Sequence, residues 1–204
     1  MLLATVLRQF LPPVKKDVVM RNFDQPGRSL ALGTNGMAAT SSPLATLAAI
    51  DVLRQGGNAV DAAVTASAIL CLTEPHMTGI GGDCFVLIGR PNGTVLGLNG
   101  SGRSSARADA AWLKAAGLTE IAPQSVHAVT VPGAIDAWDR LLQQEGTMTL
   151  GEALKPAIRL AEKGVPTTPR VARDWTESEG LLAADEGGSQ HYLKNGRSPR
   201  AGDI

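Results

Sequence analysis

Aromatic residues are nearly missing from this sequence. Three Trp, three Phe and one Tyr make up only 3% of 204 residues. The interior, drawn from an ordinary 44% of apolar residues, must therefore be built mainly from Ala, Val, Leu and Ile. Small side chains let helices and strands approach closely, which suits a layered α/β or α+β domain. Cysteine is also scarce. Cys71 and Cys84 are too few for a disulfide framework or a cysteine-rich metal site. Lying in mostly apolar stretches, they read as buried free thiols. The histidines, His76, His127 and His191, sit far apart and never in H-E-x-x-H spacing, so no metal is expected. His76 reads as a loop histidine near a helix end. Neither charge sign is in excess, with 19 basic and 19 acidic residues. That leaves no basic stripe for nucleic acid and no acidic tail. No apolar run approaches the ~20 residues of a membrane span.

The N-terminal "MLLATVLRQFLPPVKK" is apolar, but Arg8 interrupts it and no basic segment precedes it. It is a poor secretory signal, and a cytoplasmic location is the default expectation. Met20 opens "MRNFDQPGRS", which reads as a plausible natural start. Residues 1–28 are thus expected to be an N-terminal extension, disordered or produced by a mis-set start, followed by one folded unit over 29–204.

Local signals then place the elements. "SLALGTNGMAATSS" suggests a strand around Leu30–Thr40. Ser42 and Pro43 open a helix as N-cap and first-turn proline, with Leu44, Leu47, Ala48 and Leu53 near one face. Gly56 and Gly57 stop it. Asn58 starts a second helix at once, with Asp61 favoured in its first turn by the helix dipole. That helix carries almost no other charge, so it should be buried on most sides. "CFVLIG" and "TVLGLNG", joined by "RPNG", read as a hairpin, because Asn-Gly between apolar runs is a strong turn signal. A short helix is expected around Ala108–Ala116, a third sheet segment over "VHAVTVPG", and an amphipathic helix over "GAIDAWDRLLQQEG". Thr149 with Glu152 forms a capping box for a helix with stripe Leu150, Leu154, Ile158 and Ala161. Pro156 should kink that helix. "PTTPRVARDW" starts another, and the end is turn chemistry.

The glycine-rich stretch "HMTGIGGDCFVLIGRPNGTVLGLNGSGR" invites a phosphate-loop reading, and the residues refuse it. A dinucleotide loop needs G-x-G-x-x-G after a strand and before a helix. Here the third position is Cys84, a helix precedes, and a strand follows. No Gly-Lys-Ser/Thr occurs, and no G-x-S-x-G elbow marks a serine nucleophile; Ser101 reads as a turn serine. Asp83 is expected to bond backbone N–H groups, as turn aspartates do. Gly79–Gly82 should let the chain turn from a helix into the sheet. Arg103 follows the second strand and a flexible Asn-Gly-Ser-Gly turn, where a planar guanidinium fork could capture a carboxylate. A plain surface arginine beside Arg107 is the other reading.

Five blocks, in order, carry a family resemblance: "GMAATSSPLATLAAIDVLRQGGNAVDAAVTASAIL", "GIGGDCFVLI", "LNGSGR", "VTVPGAIDAWDRLLQQEGTMTL" and "ALKPAIRLAEKGVP", within roughly Ser29–Ile204, with "QGGNAVDAAV" the most specific text. The chain resembles the N-terminal part of the large subunit of the γ-glutamyltransferase (γ-glutamyltranspeptidase) family. The resemblance implies an N-terminal-nucleophile hydrolase of α+β class, a four-layer αββα sandwich that is incomplete in this chain. It implies self-cleavage into two subunits and a nucleophilic threonine at the new N-terminus of the small one. Glutathione or another γ-glutamyl amide is the implied substrate, with no cofactor. Arg103 matches the arginine that clamps the donor's α-carboxylate. The sequence departs in Ser104, Ser105 and Ala106, where many members carry Glu and a nearby Pro, and its "LNGSGR" and "GIGGDCF" look more like the branch of γ-glutamyltransferase-like acylases and oxamate-type amidohydrolases. The implied nucleophile block lies beyond Ile204; Thr167-Thr168, followed by Pro169, is not it. No catalytic residue is therefore expected in this chain, which would be inactive without its C-terminal part and small subunit. A truncated, non-catalytic protein binding a carboxylate ligand or a partner is the rival expectation.

Overall fold

The computed structural model describes residues 30–204; the extension expected over 1–28 lies outside them. The chain divides into two units, Met1–Thr34 and Asn35–Ile204. Of the first, residues 30–34 are described and hold neither helix nor strand. The second contains helices α1 (Pro43–Arg54) and α2 (Ala59–Thr73), strands β1 (Cys84–Gly89) and β2 (Val95–Gly100), and helix α3 (Ala110–Ala115). A 3-10 turn (Val126–Ala128) leads to α4 (Ala134–Glu145), α5 (Leu150–Lys163), α6 (Pro169–Glu177), α7 (Glu179–Ala183) and α8 (Glu186–Tyr192). Mixed helix with a two-stranded sheet makes this an α+β arrangement.

Helix α1 begins with Pro43 in its first turn, as expected. Ser42 occupies the N-cap position but its side chain makes no cap bond. The buried serine is held by Thr40 instead, whose Oγ1 donates to the Ser42 carbonyl (2.7 Å) and accepts from the Ser42 N–H (3.2 Å). The buried face of α1 is Ala45, Ala49 and Val52, while Leu47 is 56% exposed. This corrects the expected leucine-bearing face. The reason is steric: α1 packs against the alanine-rich α2, and alanine at spacings of four and three lets two helix backbones come close. Leu44, Ala48 and Leu53 pack at the margin.

Helix α2 has a complete capping box. Asn58 Oδ1 accepts from the N–H groups of Val60 (2.8 Å) and Asp61 (3.2 Å), and the Asn58 N–H donates to Asp61 Oδ2 (2.8 Å). Asp61 is fully buried. It also accepts from the Thr147 N–H (2.9 Å), the Thr147 hydroxyl (2.7 Å) and the Met148 N–H (3.0 Å). One carboxylate thus ties the start of α2 to the segment that enters α5. The Asn58 side-chain amide adds a bond to the Glu145 carbonyl at the end of α4 (2.7 Å). Ala45, Ala49, Ala62, Ala66, Ile69, Leu142, Ala153 and Ala157 surround this junction in one apolar cluster, and Trp138 brings its one buried aromatic.

Helix α5 carries the expected Thr149–Glu152 box and runs through Pro156 to Lys163. Its buried residues are Ala153 and Ala157, again smaller than the expected stripe, and Ile158 is half exposed. Helix α6 starts at Thr168, whose hydroxyl accepts from the Val171 N–H (3.4 Å). Asp174 on α6 accepts from Arg170 Nε (2.7 Å) and faces His76 Nε2 at 3.4 Å. His76, on the loop after α2, thereby joins that loop to α6. The two short helices α7 and α8 were not legible in "EGLLAADEGGSQHY", where glycines mask any apolar period.

The hairpin forms as expected. Strand β1 pairs with β2 from Cys84↔Gly100 to Gly89↔Val95, and the Arg90 N–H donates to the Thr94 carbonyl across the turn (2.8 Å). Cys84, Val86 and Ile88 face inward, whereas Phe85 and Leu87 are 64% and 80% exposed. Two further expectations are corrected. Residues 30–40 hold no strand, because a strand requires a ladder partner and this segment has none among the described residues. Its part from Asn35 onward lies on helices instead: Ala38 packs on the apolar cluster. "VHAVTVPG" is not a third strand either. Its first half is the 3-10 turn, and its second half is extended but makes a single backbone bond to the hairpin side, Val131 N–H to the Arg103 carbonyl (2.9 Å). Pro132 has no N–H to offer, and the Gly133 N–H is committed to Gly82.

Cys71 and Cys84 are free and half-buried. Burial pushes both thiols above their ordinary range, and the Asp83 charge adds to the effect at Cys84. The thiolate is the reactive form. Both are therefore expected to react with iodoacetamide at pH 7 more slowly than free cysteine, and to accelerate in mildly alkaline buffer. Mass-spectrometric labelling time courses check this; free-cysteine rates at pH 7 would contradict it.

Candidate functional site

Three segments meet where the hairpin ends. The first is the glycine loop before β1. It turns through the Gly82 N–H to Gly79 carbonyl bond (3.2 Å), yet a methyl group at Gly79 or Gly81 would meet open space. The tight positions lie elsewhere. Gly82 contributes its carbonyl, which accepts from the N–H groups of both Gly133 (3.0 Å) and Ala134 (3.1 Å). It thereby satisfies two of the unpaired donors at the start of α4.

The second segment is the turn from Asn99 to Arg103. Asn99 Oδ1 accepts from the Ser101 N–H (3.0 Å). Gly102 adopts φ +77°, a left-handed conformation that L side chains resist. A methyl group there would also lie 1.9 Å from the Val131 carbonyl oxygen. The third segment is the strap Thr130–Gly133. The Thr130 hydroxyl donates to the Ser101 carbonyl (3.2 Å), and Val131 holds the Arg103 carbonyl as described above. At Gly133 a methyl group would come 2.2 Å from the Gly100 carbonyl oxygen and 2.7 Å from the Gly102 nitrogen. Glycine thus meets glycine with backbones in contact.

This frame carries Arg103. Its side chain is exposed and takes part in none of the ion pairs among the described residues. Most other arginines of this unit lie against carboxylates, as Arg90 does against Glu145, Arg140 against Asp136 and Arg170 against Asp174. A guanidinium on a fixed backbone, with no internal anion, is equipped to take a carboxylate through two parallel hydrogen bonds. Ser104, Ser105 and Ala106 follow it on the surface. Asp83 is exposed and makes none of the backbone bonds expected of it; it lies between the bend at Gly82 and the start of β1. The strap was missed in the sequence. The signal available was "VPG" directly before a helix, which marks a glycine in close backbone contact as readily as a strand end.

No group of His, Cys, Asp or Glu suited to a metal ion occurs among the described residues. A family model described as gamma-glutamyltranspeptidase matches residues 45–204. The chain belongs to the gamma-glutamyltranspeptidase family. Its relatives include a glutathione hydrolase-like proenzyme of Bacillus subtilis, 36% identical over 84% of this chain and 33% of that protein. An oxamate amidohydrolase proenzyme of Klebsiella pneumoniae is 33% identical over the same two shares. Among solved structures, the cephalosporin acylase of Bacillus halodurans superposes with a TM-score of 0.81 at 38% identity, covering 90% of this chain and 36% of that one. The chain thus spans about a third of the length of the curated relatives it matches. By their names these relatives are hydrolases and an acylase.

Proposed function

We propose that this chain is the N-terminal part of the large subunit of an amide hydrolase or transferase, and that Arg103 binds the substrate's carboxylate. The observation that carries the reading is Arg103 itself: a guanidinium that pairs with no carboxylate among the described residues, on a turn fixed by three backbone segments. In this reading the two-stranded sheet is part of an αββα sandwich. The exposed Phe85 and Leu87 and the outer edge of β1, unpaired among the described residues, support that, since a lone hairpin is marginal in water. Open space over Gly79 and Gly81 fits a further part of the protein packing there. Thr167-Thr168 is not the nucleophile. Thr168 caps α6, and the Thr167 N–H is bound to the Asp203 carbonyl (2.8 Å).

The chemistry follows from an N-terminal threonine outside this chain. Its hydroxyl oxygen attacks the amide carbonyl while its own amine takes the hydroxyl proton. The proton passes to the leaving nitrogen, the C–N bond breaks, and an ester to the threonine remains. Water or an acceptor amine then attacks that ester, releases the acyl group and restores the hydroxyl. Arg103 anchors the far end of the substrate throughout. Glutathione or another γ-glutamyl amide is the proposed substrate. The names of the relatives, and Ser104-Ser105-Ala106 after the arginine, favour as second reading an acylase or oxamate-type amidohydrolase acting on another carboxylate-bearing amide.

The test is expression of the full-length gene. Mass spectrometry should find two chains, the smaller starting with threonine, and the cut protein should hydrolyse amides from a panel of γ-glutamyl, N-acyl and oxamate substrates. An uncut protein without activity on any of them would overturn the proposal in favour of a non-catalytic binding protein.

A further inference from the structure

We infer that Thr130 and Gly133 are positioning residues for Arg103: the strap they belong to sets where the guanidinium stands. The inference rests on the carboxylate role proposed for Arg103. The last ladder pair of the hairpin is Cys84↔Gly100, so Ser101, Gly102 and Arg103 have left the sheet. Apart from two local bonds, Ser101 N–H to Asn99 Oδ1 (3.0 Å) and the Ser101 hydroxyl to the Gly102 carbonyl (3.4 Å), what holds this turn among the described residues is the strap, which bonds the Ser101 and Arg103 carbonyls. Thr130 Oγ1 holds the Ser101 oxygen at 3.2 Å and the Val131 N–H holds the Arg103 oxygen at 2.9 Å. The strap is itself immobilised, because the N–H groups of Gly133 and Ala134 both bind the Gly82 carbonyl at the start of α4.

The fit between strap and turn leaves no slack. Cβ atoms essentially never approach another heavy atom closer than 3.0 Å, and a methyl group at residue 133 would lie 2.2 Å from the Gly100 oxygen. Gly133→Ala must therefore displace the turn by several tenths of an ångström or more. Displacement on that scale costs up to about a hundredfold when a group must meet substrate in a fixed geometry. Thr130→Val keeps the side-chain shape and removes one neutral hydrogen bond, an effect of about threefold to tenfold. Neither residue reaches the substrate in this reading. Their influence passes through Arg103 and so concerns only substrates with a carboxylate.

The experiment uses the full-length protein and two chromogenic donors, γ-glutamyl-p-nitroanilide and its counterpart without the α-carboxylate, 4-aminobutanoyl-p-nitroanilide. Thr130→Val and Gly133→Ala are expected to raise KM for the first donor and leave the second unchanged, with kcat little affected. Thr130→Ser should restore the first donor's KM. Combined with Arg103→Ala, either change should add nothing further. If Thr130→Val lowers activity on both donors alike, or adds its full effect to Arg103→Ala, the residue is merely structural and the inference fails. Should Gly133→Ala not fold, the threonine variants decide alone. If Arg103→Ala fails to distinguish the two donors, the carboxylate role itself falls, which is a different result from an intact Arg103 effect with silent strap variants.

Discussion

Arg103→Ala in the full-length protein is expected to lower kcat/KM for a γ-glutamyl amide by about a hundredfold to ten-thousandfold, with most of the change in KM. Two charge-assisted hydrogen bonds from a guanidinium contribute about 1.5–3 kcal/mol each, and about 1.4 kcal/mol is a factor of ten. The carboxylate lies away from the bond being broken, so its contact is kept from bound substrate to transition state. Loss of such uniform binding shows in KM. Arg103→Lys should recover only part, because an ammonium supplies the charge without the planar fork. Steady-state kinetics on the three proteins check the prediction. Because the guanidinium is exposed and makes no ion pair among the described residues, the alanine variant should melt at the same temperature as the parent, which separates binding from stability. Wild-type kinetics in Arg103→Ala would remove the residue from the site.

Asp61→Ala is expected to be the most destabilising single change in this segment, by about 3–5 kcal/mol. The substitution strands the N–H groups of Asn58, Thr147 and Met148 and the Thr147 hydroxyl, all of which converge on this one carboxylate, in a place with no access to water. Asp61→Asn should cost less but still clearly, since an amide offers one acceptor oxygen where four donors meet. Burial pushes the carboxyl up, but bonds from Asn58, Thr147 and Met148 outweigh it and hold the group below its ordinary value. The sign for stability follows. A folded-state value below the unfolded one means the stabilisation is fully present above the unfolded value, about pH 4, and is lost as pH falls through the lower folded value. Urea unfolding as a function of pH checks both points. The parent should lose stability on that acid limb, and Asp61→Asn should show a shallower loss. An unchanged acid limb in the asparagine variant would contradict the assignment.

Much of the fold was written locally. Pro43, the Gly56-Gly57 stop, the start at Asn58 with Asp61 in the first turn, the Asn92-Gly93 turn and the Thr149–Glu152 box each act within a few residues, and each stands where the sequence placed it. The failures share a cause. The strands expected over residues 30–40 and over "VHAVTVPG" do not form, because a strand exists only if another segment offers a ladder. The leucine-bearing faces read for α1 and α5 failed for a related reason. Helical spacing marks an apolar arc, and the width of the neighbouring helix decides which part of that arc is buried. Here the neighbour is alanine-rich, so alanines went inside and Leu47 and Ile158 stayed out.

By itself the sequence determined the helices up to α6, the hairpin, the family and the position of Arg103 after β2. These rest on capping, turn chemistry and ordered blocks, which are properties of neighbours along the chain. Tertiary structure alone decided what Asp61, Thr130 and Gly133 do. Asp61 meets Thr147 across 86 residues, and Thr130 meets Ser101 across 29. At such separations no local propensity connects the partners, and a buried aspartate or a glycine before a helix looks like any other until the packing brings its counterpart within hydrogen-bond or van der Waals distance.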